Sequence, residues 1–118
     1  MAEFLLVHGS CHGAWCWRDV IPALAALGHS ARAIDLPSHG DDETPPETVT
    51  LDLYADAVIA AIAPDTILVG HSMAGYPITA AALKAPDRIK ALVYLCAYVP
   101  IAGKTLAEMR AMAPSQRC

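Results

Sequence analysis

The sequence predicts an α/β fold, a parallel sheet with helices on both faces. Four short, mainly apolar runs, the first of them unbroken, are typical of strands buried on both sides, as strands are in parallel sheets. The segments between them carry apolar residues at spacings of three and four, the pattern of amphipathic helices. This β-α-β-α-β-α-β alternation favours one sheet with right-handed crossovers.

Each predicted strand ends where the apolar run meets glycine, proline or polar residues. The second is the weakest, because alanine and arginine occupy three of its four positions. Short buried runs of this kind are better explained by strands than by helices, which need about 10 residues or more. The predicted strands are Phe4–Val7, Ala31–Ile34, Thr66–Val69 and Ile89–Leu95.

Three helices are predicted between the strands. Gly28 follows the first at a position that suits a helix C-terminus. Thr50 is a good N-cap for the second. Pro77 fits only the first turn of the third, because proline lacks a backbone N–H. The predicted helices are Trp17–Leu27, Leu51–Ile62 and Tyr76–Leu83.

Composition excludes several classes of function. The 118 residues suffice for one domain, and with 55% hydrophobic and 17% charged residues the chain is not a disordered tail. The net charge of −4 and the lack of a basic stripe argue against nucleic-acid binding. No apolar run approaches the roughly 20 residues that span a bilayer. The N-terminus lacks the basic start of a signal peptide, so we expect a cytoplasmic protein.

The cysteines do not form a metal or disulfide signature. Cys11, His12 and Cys16 are close in sequence, but a zinc site needs a second ligand pair at defined spacing. There is no C-x-x-C pair, and free thiols in a reducing compartment are the simpler interpretation. We therefore predict no metal and no organic cofactor.

One turn carries the chemistry. In Gly70-His71-Ser72-Met73-Ala74-Gly75, a serine lies between a buried strand and a helix, with small residues on either side. A serine in such a cramped bend projects from the carboxyl end of the sheet, where it can act as a nucleophile. The Met73 N–H would stabilise the oxyanion that forms beside it. The alternative is that Ser72 merely caps a helix.

A second segment supports the catalytic interpretation. Val7-His8-Gly9-Ser10 ends the first strand, which lies beside the strand leading to Ser72 in this topology. Gly9 is small enough to let the backbone turn towards the serine, and the Ser10 N–H would be the second oxyanion donor.

The chain resembles the α/β-hydrolase superfamily in three segments. They are the run from His8 to Trp17, the run Asp35-Leu36-Pro37-Ser38-His39-Gly40, and the serine turn from Gly70 to Gly75. Within this superfamily, the chain is similar to the branch of plant methyl esterases, salicylic-acid-binding esterases and hydroxynitrile lyases, including bacterial esterase relatives. The resemblance implies the N-terminal half of the fold, with four strands in the order second, first, third, fourth. It also implies that residues 1–99 belong to the core and residues 100–118 begin a cap. Leu106, Met109 and Met112 would form at best a short helix there.

The resemblance implies a serine carboxylic-ester hydrolase with Ser72 as nucleophile and the Ser10 and Met73 N–H groups as oxyanion donors. Small apolar or aromatic esters are the expected substrates, since the residues expected near the site carry no fixed charge. Gly9 and Tyr98 are candidate pocket residues. The expected walls include Trp15, Met73, Tyr76, Tyr98 and Met112.

The base and acid of a triad are missing. In this fold they follow the serine, but no histidine follows Ser72, and the only later acids are Asp87 and Glu108. We expect the earlier histidines to be structural: His8 and His12 bonded around the first loop, His29 and His39 solvated, and His71 packed beside its strand. The chain is therefore expected to be an N-terminal fragment, or to be completed by something outside these 118 residues.

Two alternatives remain open. The chain could be a non-catalytic ligand-binding or association module. It could also be a hydroxynitrile lyase, although those lyases carry threonine at the position of Gly9 and tend to carry an acid at that of His71. An incomplete sheet would leave the fourth strand as an apolar open edge, which favours a homodimer or aggregation through that edge.

Overall fold

Four parallel strands form one sheet in the computed structural model, which describes residues 2–101, 105, 107 and 108. The order across the sheet is β2-β1-β3-β4, as predicted. Every neighbouring pair is parallel, with Leu5 opposite both Arg32 and Leu68. The strands are β1 (Glu3–Val7), β2 (Ser30–Ile34), β3 (Thr66–His71) and β4 (Ile89–Leu95).

Three α-helices connect the strands, and two of them lie close to their predicted bounds. They are α1 (Val20–Ala26), α2 (Leu51–Ala61) and α3 (Gly75–Lys84). The Thr50 hydroxyl accepts a hydrogen bond from the Leu53 N–H at 3.1 Å, so the predicted N-cap of α2 is confirmed. Pro77 lies in the first turn of α3, where its missing N–H costs nothing.

The first helix begins later than predicted. Trp17 belongs to a separate 3-10 turn, Ala14–Trp17, and α1 starts only at Val20. Pro22 explains the difference. In a helix beginning at Trp17, Pro22 would lie in the second turn, where its N–H is needed, whereas in α1 it lies in the first turn.

Side chains of the central strands alternate between two apolar clusters on opposite faces of the sheet, which confirms helices on both faces. Leu5 and Leu68 pack with Val58 of α2 and Ile78 of α3 on one face. On the other face, Leu6 and Val69 pack with Trp17 and, more loosely, with Ile21 of α1. The sheet is therefore the middle layer of three, as the continuous apolar strands predict.

The last strand is less covered than the others. In the described part of the chain, β4 pairs only with β3, and Val93 and Leu95 are exposed. None of the described helices is long and apolar enough to cross a membrane. The helix expected around Leu106, Met109 and Met112 falls outside the described residues, and the division between residues 1–99 and 100–118 stays a prediction.

Candidate active site

Ser72 occupies a sharp bend between β3 and α3. Its φ of 56° lies in the left-handed region, which costs a non-glycine residue about 1–2 kcal/mol. A 3-10 turn, Ser72–Ala74, begins at the serine and leads directly into α3. The strand, bend and helix that the sequence predicts at this point are all present, and Ser72 is half-buried rather than packed inside the core.

Glycines allow the backbone to fold this tightly around the serine. A Cβ on Gly70 would lie 2.8 Å from Ile78 Cδ1 and 3.0 Å from the Ala74 carbonyl oxygen. A Cβ on Gly75 would collide with the carbonyl oxygen of Tyr98. The segment after β4 therefore crosses close above the start of α3, and the Tyr98 N–H donates to the Ser72 carbonyl at 3.2 Å.

The loop after β1 closes on the same bend. A Cβ on Gly9 would lie 3.0 Å from Ser72 Cβ and 3.1 Å from the His71 carbonyl oxygen. Gly9 is buried, whereas Ser10 is partly exposed. The two segments that the sequence analysis singled out are thus in direct contact, with the peptide between Gly9 and Ser10 next to the serine.

The candidate site residues line two cavities. Ser10 and Met73 line a mainly apolar cavity of about 540 Å³. Ser72 and Tyr98 line a second cavity of about 360 Å³. The first is also lined by His39, Val49, Thr50, Leu51, Tyr54, Tyr76 and Thr105, and the second by Cys96 and Ala97.

One of the expected wall residues is elsewhere. Trp15 is 56% exposed, and its indole stacks on the His12 ring with centroids 5.6 Å apart instead of lining either cavity. The 3-10 turn that holds Trp15 carries Trp17 into the core, so the residue two positions earlier faces outwards. Met73, Tyr76 and Tyr98 do line the cavities, and Met112 falls outside the described residues.

Two histidines organise the loop after β1, as expected. His8 is fully buried, with its Nδ1 2.8 Å from the Gly9 carbonyl oxygen and its Nε2 accepting from the Leu36 N–H at 2.9 Å. His12 Nδ1 lies 2.7 Å from the Ser10 carbonyl oxygen. Burial lowers the pKa of His8 below its ordinary value of 6.5, so this imidazole is neutral.

The other three histidines have mixed outcomes. His71 packs edge-on against the rings of His12 and Trp17, as expected for a residue beside its strand. His29 is not simply solvated, because it is half-buried and accepts from the Ala2 N–H at 3.0 Å.

His39 is likewise partly buried and not simply solvated. This ring lies between those of His8 and Tyr54, at centroid distances of 4.9 and 6.1 Å, and lines the larger cavity. The long loop after β2 folds back over the site, a tertiary arrangement that no local pattern predicts.

Asp35, for which the sequence predicted no role, connects two loops at the site. Its carboxylate accepts from the Ala14 N–H at 2.7 Å and from the Asp41 N–H at 3.2 Å. A Cβ on Gly13 would lie 2.9 Å from Asp35 Oδ1, and a Cβ on Gly40 would collide with it. Only Asp35 at the end of a predicted strand was visible in the sequence, because Gly13 lies 22 positions earlier in another loop.

No described residue hydrogen-bonds to the Ser72 hydroxyl. A serine becomes a good nucleophile only when a base takes its proton and an acid orients that base. The five histidines therefore leave this role unfilled in the described part of the chain. What the geometry provides is a half-exposed hydroxyl, a cavity beside it and two backbone segments that meet at it.

Comparisons with known proteins place these features in a family. Residues 4–117 match the model of the alpha/beta hydrolase family. The chain is 43% identical over 109 residues to Esterase PIR7B of Oryza sativa subsp. japonica, covering 86% of this chain and 41% of that protein. It is 40% identical over 105 residues to Methylesterase 2 of Arabidopsis thaliana, covering 83% and 40%.

The fold comparison agrees. An extracellular alpha/beta-hydrolase from a Paenibacillus species superimposes with a TM-score of 0.79 at 32% identity, covering 86% of this chain and 43% of that one. The chain spans less than half the length of these relatives. Its match to them confirms both the resemblance and the predicted N-terminal half of the fold.

Proposed function

We propose, from the premise that this chain belongs to the alpha/beta hydrolase family, that it carries the nucleophile and oxyanion donors of a serine carboxylic-ester hydrolase. The esterases among its relatives support ester hydrolysis as the class of reaction. The observation that carries the proposal is the left-handed bend at Ser72, against which the Gly9–Ser10 peptide is packed.

The proposed reaction begins when Ser72 Oγ attacks the ester carbonyl. The carbonyl oxygen becomes an oxyanion, which accepts hydrogen bonds from the Ser10 and Met73 N–H groups. Ser10 donates to no described residue, and Met73 is the second residue of a 3-10 turn, where an N–H has no earlier carbonyl to bond. Both residues line the same cavity.

Collapse of the tetrahedral intermediate would expel the alcohol and leave an acyl-serine, which water then hydrolyses to the acid. A base must take the serine proton, return it to the alcohol and later activate the water. This base has to be an imidazole or an equivalent group within hydrogen-bond reach of the serine. Because no histidine follows Ser72 in these 118 residues, turnover requires this base from outside them.

The larger cavity supports small apolar or aromatic esters as substrates. Its lining includes Val49, Leu51 and Met73, with the rings of Tyr54 and Tyr76. Burial raises the pKa of Tyr54, so its phenol is neutral around pH 7. A mainly apolar wall favours an uncharged acyl or alcohol group.

The close packing around Gly9 favours an esterase over a hydroxynitrile lyase. Threonine at this position would place its Cβ 3.0 Å from Ser72 Cβ and 3.1 Å from the His71 carbonyl, so the loop after β1 would have to shift. The non-catalytic alternative has one observation in its favour, the Ser72 hydroxyl without a described partner.

A fluorophosphonate probe tests the proposal, because its phosphonyl group mimics the tetrahedral intermediate. Because the described histidines leave the role of the base unfilled, the reaction is run with free imidazole as the base. We expect labelling of the folded chain at Ser72, read by mass spectrometry of the digested peptide, and no labelling of Ser72→Ala. Ser38→Ala is the matched control, since Ser38 also has a positive φ but lines neither cavity. A folded chain that is not labelled at Ser72 would favour the binding-module alternative.

A further inference from the structure

We infer that His8 is a positioning residue for the proposed hydrolysis: its neutral ring fixes the peptide between Gly9 and Ser10 so that the Ser10 N–H faces the reacting oxygen. This inference rests on the proposed function and adds a residue to it. Two hydrogen bonds of this buried side chain support the inference.

The hydrogen bonds of His8 determine its tautomer. The Gly9 carbonyl oxygen can only accept, so the Nδ1 that lies 2.8 Å from it must carry the proton. Nε2 accepts from the Leu36 N–H at 2.9 Å and must therefore be unprotonated. Both nitrogens of a ring that is 0% exposed are used, and only the neutral Nδ1–H form satisfies both partners.

The bond to Gly9 fixes the direction of the Ser10 N–H. The carbonyl of Gly9 and the N–H of Ser10 belong to one planar trans peptide, in which they point in opposite directions. His8 holds the carbonyl on one side, with help from the His12 N–H at 3.3 Å. The Ser10 N–H is thereby turned to the other side, and Ser10 lines the larger cavity.

The second bond anchors the ring itself. Leu36 is buried at the start of the loop after β2, so its N–H holds Nε2 against a fixed part of the fold. The charged and titratable groups that face the ring are His39, Asp35 and His12. Burial is the largest cause of the lowered pKa of His8, and the two imidazoles lower it further, whereas the Gly9 carbonyl and Asp35 oppose the change.

Protonation of His8 should therefore turn this peptide. A proton on Nε2 would face the Leu36 N–H, so the ring would leave its place and release the Gly9 carbonyl. As pH falls below the ordinary value of 6.5, the unfolded chain binds a proton here that the folded chain does not. The free energy of unfolding consequently decreases until the pH reaches the lowered pKa of the folded state.

The deciding experiment is an NMR titration of the wild-type chain. We expect ring nitrogen shifts of the Nδ1–H tautomer at pH 7. The Ser10 and Leu36 amide resonances should then move together with the His8 ring, with one midpoint below 6.5. An Nε2–H tautomer, or a Ser10 amide that does not follow the titration of His8, would overturn the inference.

Variants connect the positioning to reactivity. His8→Asn keeps a donor near the position of Nδ1, whereas His8→Leu removes both bonds. We expect the fluorophosphonate labelling rate of Ser72 to fall about 100-fold in His8→Leu, the size expected for one lost oxyanion donor, and less than tenfold in His8→Asn. An equal loss in both folded variants would contradict positioning through the Gly9 bond.

A control separates this result from general loss of stability and from failure of the proposed function. His29→Gln removes another imidazole bonded to backbone, at Ala2 and outside both cavities, and should leave the labelling rate unchanged. If the wild-type chain is not labelled at all, the proposed function fails, while the titration still decides whether His8 directs the Ser10 amide.

Discussion

Ser72 is held in its unfavourable conformation by backbone contacts on several sides. Gly9 packs against its Cβ, and the Tyr98 N–H bonds to its carbonyl. The small residues around the serine made the bend predictable. The sequence predicted Tyr98 as a pocket residue, but not the hydrogen bond from its backbone N–H to Ser72. That bond depends on how a segment 26 positions later crosses the bend.

Gly75→Ala tests this packing at the residue scale. Alanine in a helix is normally more stabilising than glycine by about 0.5–1 kcal/mol. Here the new Cβ would collide with the Tyr98 carbonyl, so we expect a loss of about 1–3 kcal/mol of the free energy of unfolding, measured by urea denaturation.

Gly28→Ala is the comparison for that variant. Nothing lies within 4 Å of its Cβ position, and any cost there comes only from its φ of 86°. Its loss should be about 1 kcal/mol and should not affect labelling of Ser72. Stabilisation by Gly75→Ala would show that the segment after β4 does not press on α3.

Secondary-structure elements were predictable wherever local patterns decide them. The short, mainly apolar runs identified all four strands, and Thr50 marked the start of α2. The start of α1 was misplaced because the apolar spacing continues through the 3-10 turn, and only Pro22 distinguishes the two. The burial of His39 was not predicted because its loop, rich in proline and acidic residues, has no periodicity that reports burial.

Removal of the α2 cap gives a prediction for a single element. Thr50→Ala leaves the Leu53 N–H without its side-chain acceptor, so we expect a loss of about 1 kcal/mol in the free energy of unfolding. Urea denaturation followed by far-UV circular dichroism measures it. Thr50→Ser keeps the hydroxyl and should lose less than half as much. Equal losses would mean that the methyl group matters and the cap does not.

At the scale of the whole molecule, the described residues leave the sheet incompletely covered. β4 has one described neighbour, and exposed Val93 and Leu95 share the face that Trp17 covers further along the sheet. The order of strands was predictable from the resemblance, whereas what covers this edge cannot be deduced from local patterns. An unpaired apolar edge offers free backbone donors and acceptors to another chain.

We therefore expect the 118-residue chain to associate through β4, giving dimers or larger species in sedimentation velocity at micromolar concentration. Val93→Lys should shift the distribution towards monomer by placing a charge beside the edge. Val20→Lys, at a similarly exposed valine of α1, is the control and should leave it unchanged. A wild-type chain that sediments as a stable monomer would contradict this expectation.

The Asp35 carboxylate couples the two loops at the site to each other. One carboxylate accepts a hydrogen bond from the Ala14 N–H in the first loop and from the Asp41 N–H in the second. Movement of either loop would therefore displace the carboxylate that also holds the other loop. Substitutions in one loop should therefore alter the shape of a cavity whose wall belongs to the other, and attempts to redesign either loop alone would change both.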